Sequence, residues 1–149
     1  MFARHVVILA LAASLAAGLP ANQTQAHGPL TERGAVYQGK ATIYLQSGIA
    51  GSCGVVHAES DLIMALSNDF MQYQYKSQWC GQRVRVTNYG SNEAVIGGAG
   101  NSVVVTVADT CASCGFGDVD FSIGAWNMLT NGAPWGTFNA GWSFCDGAC

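Results

Sequence analysis

The fold of this 149-residue chain is decided by the stretch Ser102-Val-Val-Val-Thr-Val-Ala-Asp-Thr-Cys-Ala-Ser-Cys-Gly-Phe-Gly-Asp-Val-Asp-Phe-Ser122. Its first six residues are rich in β-branched side chains and partly alternate in polarity, which predicts a strand with one face in a core. A CxxC loop follows the strand, and Ser122 then stands where it can cap a helix over residues 123–129. The stretch therefore predicts a strand, a loop and a capped helix, in that order.

Short strands and turns continue this pattern on both sides. Glycine is abundant at 19 positions, proline is scarce at three, and the turn clusters that contain glycine recur at short intervals. Residues 83–87 and 137–144 alternate as strands with one buried face do. A second short helix is predicted over residues 68–72, with Ser67 as its cap. We therefore expect a mainly β domain with two short helices.

The N-terminus has the pattern of a secretory signal peptide. A lone arginine precedes residues 6–19, which are apolar and carry no charge. A run of about 14 apolar residues is too short to cross a bilayer, which takes roughly 20. Cleavage is expected after Ala16, Ala21 or Ala26, with the last two favoured, so the leader and its tail take up residues 1–26. The remaining chain is expected to be exported, free of the membrane and a single domain.

Charge and cysteine content narrow the classes of function. Without the leader the chain has five Lys or Arg against nine Asp or Glu, and it shows no basic stripe of the kind that binds nucleic acid. All six cysteines follow the leader, which predicts three disulfides, although six cysteines allow 15 pairings. The Cys111-Ala-Ser-Cys114 motif has neither a second ligand pair nor a redox setting around it. No metal and no cofactor is therefore predicted.

Three carboxylates lie within 12 residues of one another around the CxxC loop, namely Asp109, Asp118 and Asp120. Loops at strand ends are where rigid scaffolds hold functional carboxylates. A pair of carboxylates is also the minimum apparatus of glycoside hydrolysis. The structural alternatives are that Asp118 is a solvated loop residue and that Asp120 helps to cap the helix at Ser122. The residues alone leave both interpretations open.

Aromatic rings can stack on the flat faces of sugars when they are partly exposed. The rings that lie in turn-like or polar surroundings are Tyr73, Tyr75, Trp79, Tyr89 and Trp135. Packing explains any one of them equally well, and Trp126 and Trp142 follow core periodicities instead. The best single candidate is Trp135, which lies in a loop between a proline and a glycine.

Three segments taken in order resemble a known family. They are Gly39-Lys-Ala-Thr-Ile-Tyr44, then Gly51-Ser-Cys-Gly54 leading to Asp61-Leu-Ile-Met-Ala-Leu-Ser67, then Val107-Ala-Asp-Thr-Cys-Ala-Ser-Cys114 with Asp118-Val-Asp-Phe-Ser122. The set is similar to the double-psi β-barrel family, which includes rare-lipoprotein-A-like domains, barwin and expansin first domains. It is most similar to the small fungal loosenins. The resemblance covers residues 36–144 and leaves residues 145–149 as a short tail that contains cysteine.

This resemblance implies a six-stranded double-psi β-barrel with an open polysaccharide groove along one face. The matching groove residues are Thr42, Asp109 and Asp120, and Tyr44 and Trp135 complete the candidate groove. Asp120 is the residue whose loss we expect to matter most.

Similarity to barwin also implies the disulfide pairing. Cys53 is expected to bridge to Cys80. The remaining local pairs are then Cys111 with Cys114 and Cys145 with Cys149.

Two departures from the family pattern argue against hydrolysis. Related barrel endoglucanases place a second catalytic Asp shortly after the Thr-x-Tyr of the first strand, where the nearest residue here is Gln46. An amide cannot accept a proton as a carboxylate base does, so the acid–base pair is incomplete. Expansins also carry a Tyr two residues after the position of Asp109, and this chain has Cys111 there.

The expected function is that of a secreted, monomeric protein that binds cell-wall polysaccharide and loosens it without cutting it. The expected polymer is cellulose, chitin or peptidoglycan. One alternative is a weak glycoside hydrolase or a lytic enzyme that uses Asp120 as its acid. The other is a protease inhibitor or a secreted signalling ligand, because the same barrel serves those roles in the family.

Overall fold

The computed structural model of the chain describes residues 34–147 and Cys149. The predicted leader, residues 1–26, lies outside the described residues. Within those residues, no helix has the length and apolar character that crossing a membrane requires.

Six strands and two helices make up the described part of the chain. In chain order they are β1 (Tyr37–Ile43), β2 (Ile63–Ser67), α1 (Asn68–Met71), β3 (Arg83–Asn88), β4 (Ser102–Cys111), β5 (Val119–Phe121), α2 (Ile123–Thr130) and β6 (Phe138–Phe144). The strands close into a barrel in the order β1-β5-β2-β4-β3-β6. The pairs β1/β5 and β2/β4 are parallel, and the other neighbouring pairs are antiparallel. This confirms the predicted mainly β, six-stranded barrel with two short helices.

Side chains that alternate along the strands fill the barrel interior. In β3, Val84 and Val86 are fully buried, whereas the arginines on either side of Val84 are exposed. Trp126 of α2 and Trp142 of β6 are almost fully buried, as their periodicities predicted. The inward positions therefore hold the core, and the outward positions of the strands remain free for other roles.

The two helices differ in how they begin. Ser122 caps α2, because its hydroxyl accepts a hydrogen bond from the backbone N–H of Ala125 at 3.3 Å. The prediction for Ser67 was wrong in this respect: the residue precedes α1, but its hydroxyl makes no capping bond and is buried without a partner. A helix of only four residues depends on tertiary packing more than on its cap, and Phe70 and Met71 are buried in the core.

Three disulfides tie the loops to the barrel. They join Cys53 to Cys80, Cys111 to Cys114 and Cys145 to Cys149, and no cysteine is left free. These are the pairs that the resemblance to barwin implied. Only the Cys53–Cys80 bridge joins distant residues, with a sequence separation of 27.

A glycine pair lets β1 cross very close to the loop that leads into β5. A Cβ atom at Gly39 would lie only 2.3 Å from the backbone carbonyl of Gly117. Next to this contact, the backbone N–H of Lys40 donates to the Asp118 carboxylate at 2.6 Å. The crossing therefore leaves no room for a side chain at position 39.

We expect Gly39→Ala to destabilise the protein by about 1–3 kcal/mol, the usual cost of forcing a methyl group into a filled space. Both partners at this contact are backbone, so neither can move aside cheaply. Gly97→Ala is the control, since a Cβ there would meet its nearest atom at 3.4 Å. Urea denaturation of both variants measures the difference, and equal midpoints would contradict the close approach.

Candidate functional site

The strand register brings four residues that are distant in sequence into one row. Thr42 of β1 pairs with Asp120 of β5, Asp120 pairs with Ala65 of β2, and Ala65 pairs with Asp109 of β4. Neighbouring strands lie about 4.8 Å apart, so the backbones of Asp120 and Asp109 are separated by roughly 10 Å. In β5, the residues on either side of Asp120 are fully buried in the core. The row therefore lies on the outer face of the barrel.

Asp120 lies on a strand and is half-buried beside an open cleft. The hydroxyl of Thr42 donates a hydrogen bond to its Oδ1 atom, and its Oδ2 atom accepts none from the described residues. Lys40, Ser113 and Cys114 line the same cleft of about 180 Å³. No acidic residue lies in the first turn of α2, so the structure does not support the alternative that Asp120 caps this helix.

Asp109 lies near the end of β4. One of its carboxylate oxygens accepts hydrogen bonds from the backbone, and the other accepts none from the described residues. Its Oδ1 atom accepts hydrogen bonds from the backbone N–H groups of Ser52 at 2.7 Å and Thr110 at 2.8 Å. Its Oδ2 atom lies against Gly51, where a Cβ would approach it to 2.8 Å, and accepts no hydrogen bond from the described residues. Asp109 thus fixes the loop that contains Ser52 and keeps one oxygen available.

Both carboxylate oxygens of Asp118 accept hydrogen bonds from the backbone around it. Its Oδ1 atom accepts from the N–H of Lys40, and its Oδ2 atom accepts from the N–H of Gly115 at 3.3 Å. Asp118 therefore holds the turn before β5 against β1. This agrees with the alternative that Asp118 is a loop residue. Its carboxylate, however, is bound to the backbone and is not simply solvated.

The hydroxyl of Tyr44 and the amide nitrogen of Gln46 are buried away from solvent. Burial raises the pKa of Tyr44 well above its usual value. The adjacent amide of Gln46 acts in the opposite direction and lowers this pKa. The negative charges of Asp109, Asp120 and Glu59 raise this pKa. The Tyr44 hydroxyl and the amide nitrogen of Gln46 are both buried without a hydrogen-bond partner. Gln46 is only 5% exposed. Neither residue offers a polar group to the open surface.

Sequence reasoning missed Glu59. Its Oε1 atom accepts from the backbone N–H of Ser47 at 2.9 Å, while its Oε2 atom is buried without a partner. Its charge also acts on the Tyr44 hydroxyl. No motif surrounds Glu59 in the sequence, and only the folding of the loop before β2 brings it near β1.

The exposed aromatic residues are scattered over the barrel. Tyr73, Tyr75, Tyr89 and Trp135 are exposed as expected. Trp79 is half-buried, its ring stacks on Phe144 at 4.7 Å and its indole nitrogen is buried, which agrees with the alternative that it serves packing. Trp135 lies between α2 and β6 and lines none of the clefts beside Asp120 and Asp109.

A disulfide lies directly beside Asp120. The two sulfur atoms of Cys111 and Cys114 and a carboxylate oxygen of Asp120 lie within 4.8 Å of one another. Both sulfurs are joined in the disulfide and supply no thiolate to a metal ion. The bridge forms a fixed wall of the cleft.

Further clefts extend the row on both sides. One shares Lys40 with the Asp120 cleft and is lined by Ser91, Asn92, Thr137 and Asn139. The other adjoins Asp109 and is lined by the tyrosines of the segment that follows α1. An extended ligand thus has open surface on which to lie, which is mainly polar beside Asp120 and Lys40 and mainly apolar beside the tyrosines.

Comparisons with known proteins identify the fold. No protein-family model matches the chain, and no curated protein sequence does. Among solved structures, the Clavibacter michiganensis expansin is 24% identical with a TM-score of 0.57, over 77% of this chain and 52% of the expansin chain. A variant of that expansin was solved in complex with cellohexaose.

Two smaller barrels give similar matches. A Streptomyces papain inhibitor is 23% identical with a TM-score of 0.53, over 74% of this chain and 96% of its own. The β-1,4-endoglucanase Cel45A of the blue mussel Mytilus edulis is 18% identical with a TM-score of 0.53, over 73% of this chain and 78% of its own. Together with the closed six-stranded barrel, these likenesses show that the chain has the double-psi β-barrel fold.

Proposed function

We propose that this double-psi β-barrel protein binds cell-wall polysaccharide along the row of Thr42, Asp120 and Asp109, and loosens it without cutting it. The observation that carries the proposal is the row itself, in which two carboxylates on one outer face each have an oxygen that accepts no hydrogen bond from the described residues. Free carboxylate oxygens accept strong, charge-assisted hydrogen bonds from sugar hydroxyls. Expansin bound to cellohexaose shares the fold and supports this ligand class.

The same geometry argues against efficient hydrolysis. A glycoside hydrolase needs one carboxyl group as acid and a second as base or nucleophile, both facing the scissile bond. By the family resemblance, the residue nearest to the position where related endoglucanases carry their second acid is Gln46, a buried amide. Asp109 lies two strands away from Asp120 and has one oxygen committed to backbone N–H groups.

Binding and cutting are tested together on insoluble polymers. We expect the protein to sediment with cellulose, chitin or peptidoglycan and to release no reducing ends from amorphous cellulose, because general acid–base assistance is typically worth about 10²–10⁴-fold in rate. Cellulase serves as the positive control for release. Hydrolysis that disappears in Asp120→Asn would overturn the non-hydrolytic proposal, and failure to sediment with any of the three polymers would overturn the binding proposal.

A lytic or hydrolytic enzyme is the second candidate, and Glu59 favours it. Asp120 would be the acid, and the base would be Glu59, whose Oε2 atom has no partner among the described residues and whose charge, like that of Asp120, acts on the Tyr44 hydroxyl. If this candidate holds, both Asp120→Asn and Glu59→Gln abolish release of reducing ends. Retention of activity in Glu59→Gln would exclude Glu59 as the base.

The likeness to a papain inhibitor favours a third candidate, protease inhibition, because the match spans 96% of that inhibitor. Residual papain activity at increasing protein concentration tests it directly. For all three candidates we propose an extracellular location and a monomeric state. Three disulfides fit an oxidising compartment.

A further inference from the structure

The segment that follows α1 presents two tyrosines to solvent. Tyr73 is 82% exposed and Tyr75 is 69% exposed, and these are the two most exposed aromatic rings of the described residues. A tyrosine at such a position gains almost nothing from burial on folding. Packing therefore does not explain why the rings are there.

Two residues of this segment are in an unfavourable conformation. Gln72 ends α1 in the left-handed conformation that is common at helix C-termini, and beyond it Tyr73 and Lys76 have positive φ values of 53° and 55°. For a bulky residue such as Tyr73 this is a true outlier, because the side chain crowds the backbone in the left-handed region. Strain of this kind persists only where the surrounding structure enforces it, and it concentrates at functional sites.

Hydrogen bonds hold the strained segment in place. The N–H of Tyr73 donates to the side chain of Asn68 at 2.6 Å, the N–H of Gln74 donates to Met71, and the N–H of Lys76 donates to the carbonyl oxygen of Ser52 at 2.9 Å. The rings are therefore presented from a fixed backbone, which limits the entropy lost when a ligand binds.

Gly54 and Lys76 support the second ring. The Tyr75 hydroxyl lies close to Gly54, where a Cβ would approach it to 2.5 Å. The ammonium group of Lys76 lies 5.4 Å from the centre of the Tyr75 ring. The position of Tyr75 is thus defined by its neighbours.

Both rings border a cleft that continues the row of Thr42, Asp120 and Asp109. Tyr73, Tyr75 and Asp109 line one open cleft of about 380 Å³, together with Ser52 and Thr110. Asp109 is also the last member of the row. A ligand lying along the row would therefore reach the tyrosines directly after Asp109.

We propose that Tyr73 and Tyr75 form an aromatic platform, a subsite on which a pyranose ring of a bound polysaccharide stacks at the Asp109 end of the groove. A flat ring offers its face to the C–H groups of a sugar, and the free oxygen of Asp109 accepts from a hydroxyl at its edge. Expansins carry a Tyr two residues after the position of Asp109, where this chain has Cys111; here a different loop supplies the rings. The inference rests on the proposed polysaccharide function.

Titration calorimetry with cellohexaose and with chitohexaose tests the platform, using whichever oligosaccharide the parent binds. We expect Tyr73→Ala to weaken affinity by about fivefold, which is the usual contribution of one aromatic contact. Tyr73→Phe should bind like the parent, because stacking needs the ring and not the hydroxyl. Met128→Ala is the control, an exposed apolar side chain on α2 that lines none of the clefts beside the row.

Tyr73→Gly separates a binding role from a structural one. Glycine adopts a positive φ without strain, so we expect this variant to melt no lower than the parent while it binds as weakly as Tyr73→Ala. A melting temperature that falls together with affinity would show that the ring is structural and would overturn the platform.

The outcomes also distinguish this inference from the function on which it rests. If the parent binds, Asp120→Asn weakens binding and Tyr73→Ala does not, the platform alone is wrong. If the parent binds neither oligosaccharide, the platform is wrong, and the proposed function is wrong as well if the parent also sediments with none of cellulose, chitin and peptidoglycan. Weakening by both Asp120→Asn and Tyr73→Ala, with Met128→Ala unchanged, is the result that the platform requires.

Discussion

Replacing Asp120 by Asn should weaken polysaccharide binding by about tenfold and leave the melting temperature almost unchanged. The amide can still accept the hydrogen bond from Thr42 through its oxygen, so the fold keeps this contact. The groove, however, loses a charged acceptor. Hydrogen bonds to charged groups contribute about 1.5–3 kcal/mol against about 1 for neutral ones, and a difference of 1.4 kcal/mol is tenfold in affinity.

The measurements are affinity for the bound polymer, weakening of filter paper or fibres, and the melting temperature. Asp118→Asn is an unsuitable control, because both of its carboxylate oxygens accept from backbone N–H groups and an amide nitrogen cannot replace one of them. Asp146→Asn is suitable, since it makes the same change of charge at an exposed position in the C-terminal segment. A variant at Asp120 that melts, binds and loosens like the parent would mean that the function lies on another face.

Removing the Cys53–Cys80 disulfide by changing both cysteines to serine should lower the free energy of unfolding by about 3 kcal/mol. The bridge closes a loop with a sequence separation of 27, and the unfolded chain gains the entropy of that loop when the bridge is absent. It also ties the loop before β2, which carries Ser52, to the segment before β3. Both cysteines pack against the core.

The matched control is the double serine variant at Cys111 and Cys114. That bridge has a sequence separation of only 3, so the loop-entropy model gives it about half the contribution of the longer bridge. Urea denaturation of the three proteins gives the free energies. Equal losses in the two variants would show that loop closure is not the source of the stability.

The strands could be predicted from local pattern, but their arrangement could not. The β-branched runs at residues 83–87 and 102–107 lie in β3 and β4, and the hydroxyl of Ser122 caps α2 as expected. In contrast, β5 has only three residues, too few to show a period. Its position in the barrel came from the family resemblance.

The candidate site shows the same limit. Ala65 pairs with both Asp120 and Asp109 and so joins the two acids in one row. All of β2 is buried, and nothing in its sequence indicates that Ala65 has this position. The position of Glu59 and the buried state of Gln46 depend on how the segment between β1 and β2 folds over the barrel. The sequence left open whether Trp79 packs or binds, because its polar neighbours in sequence gave no sign of Phe144, on which its ring stacks.

The pairing of β1 has a consequence for how the chain acquires its structure. β1 pairs only with β5 and β6, and the bond from Thr42 to Asp120 spans 78 residues. Contacts so distant in sequence make folding slow, since a large loop must close before they form. β1 therefore has no partner strand in the barrel until β5 and β6 have been synthesised. We expect the barrel to close only after β6 has left the ribosome, although β2, β3 and β4 can pair with one another before that.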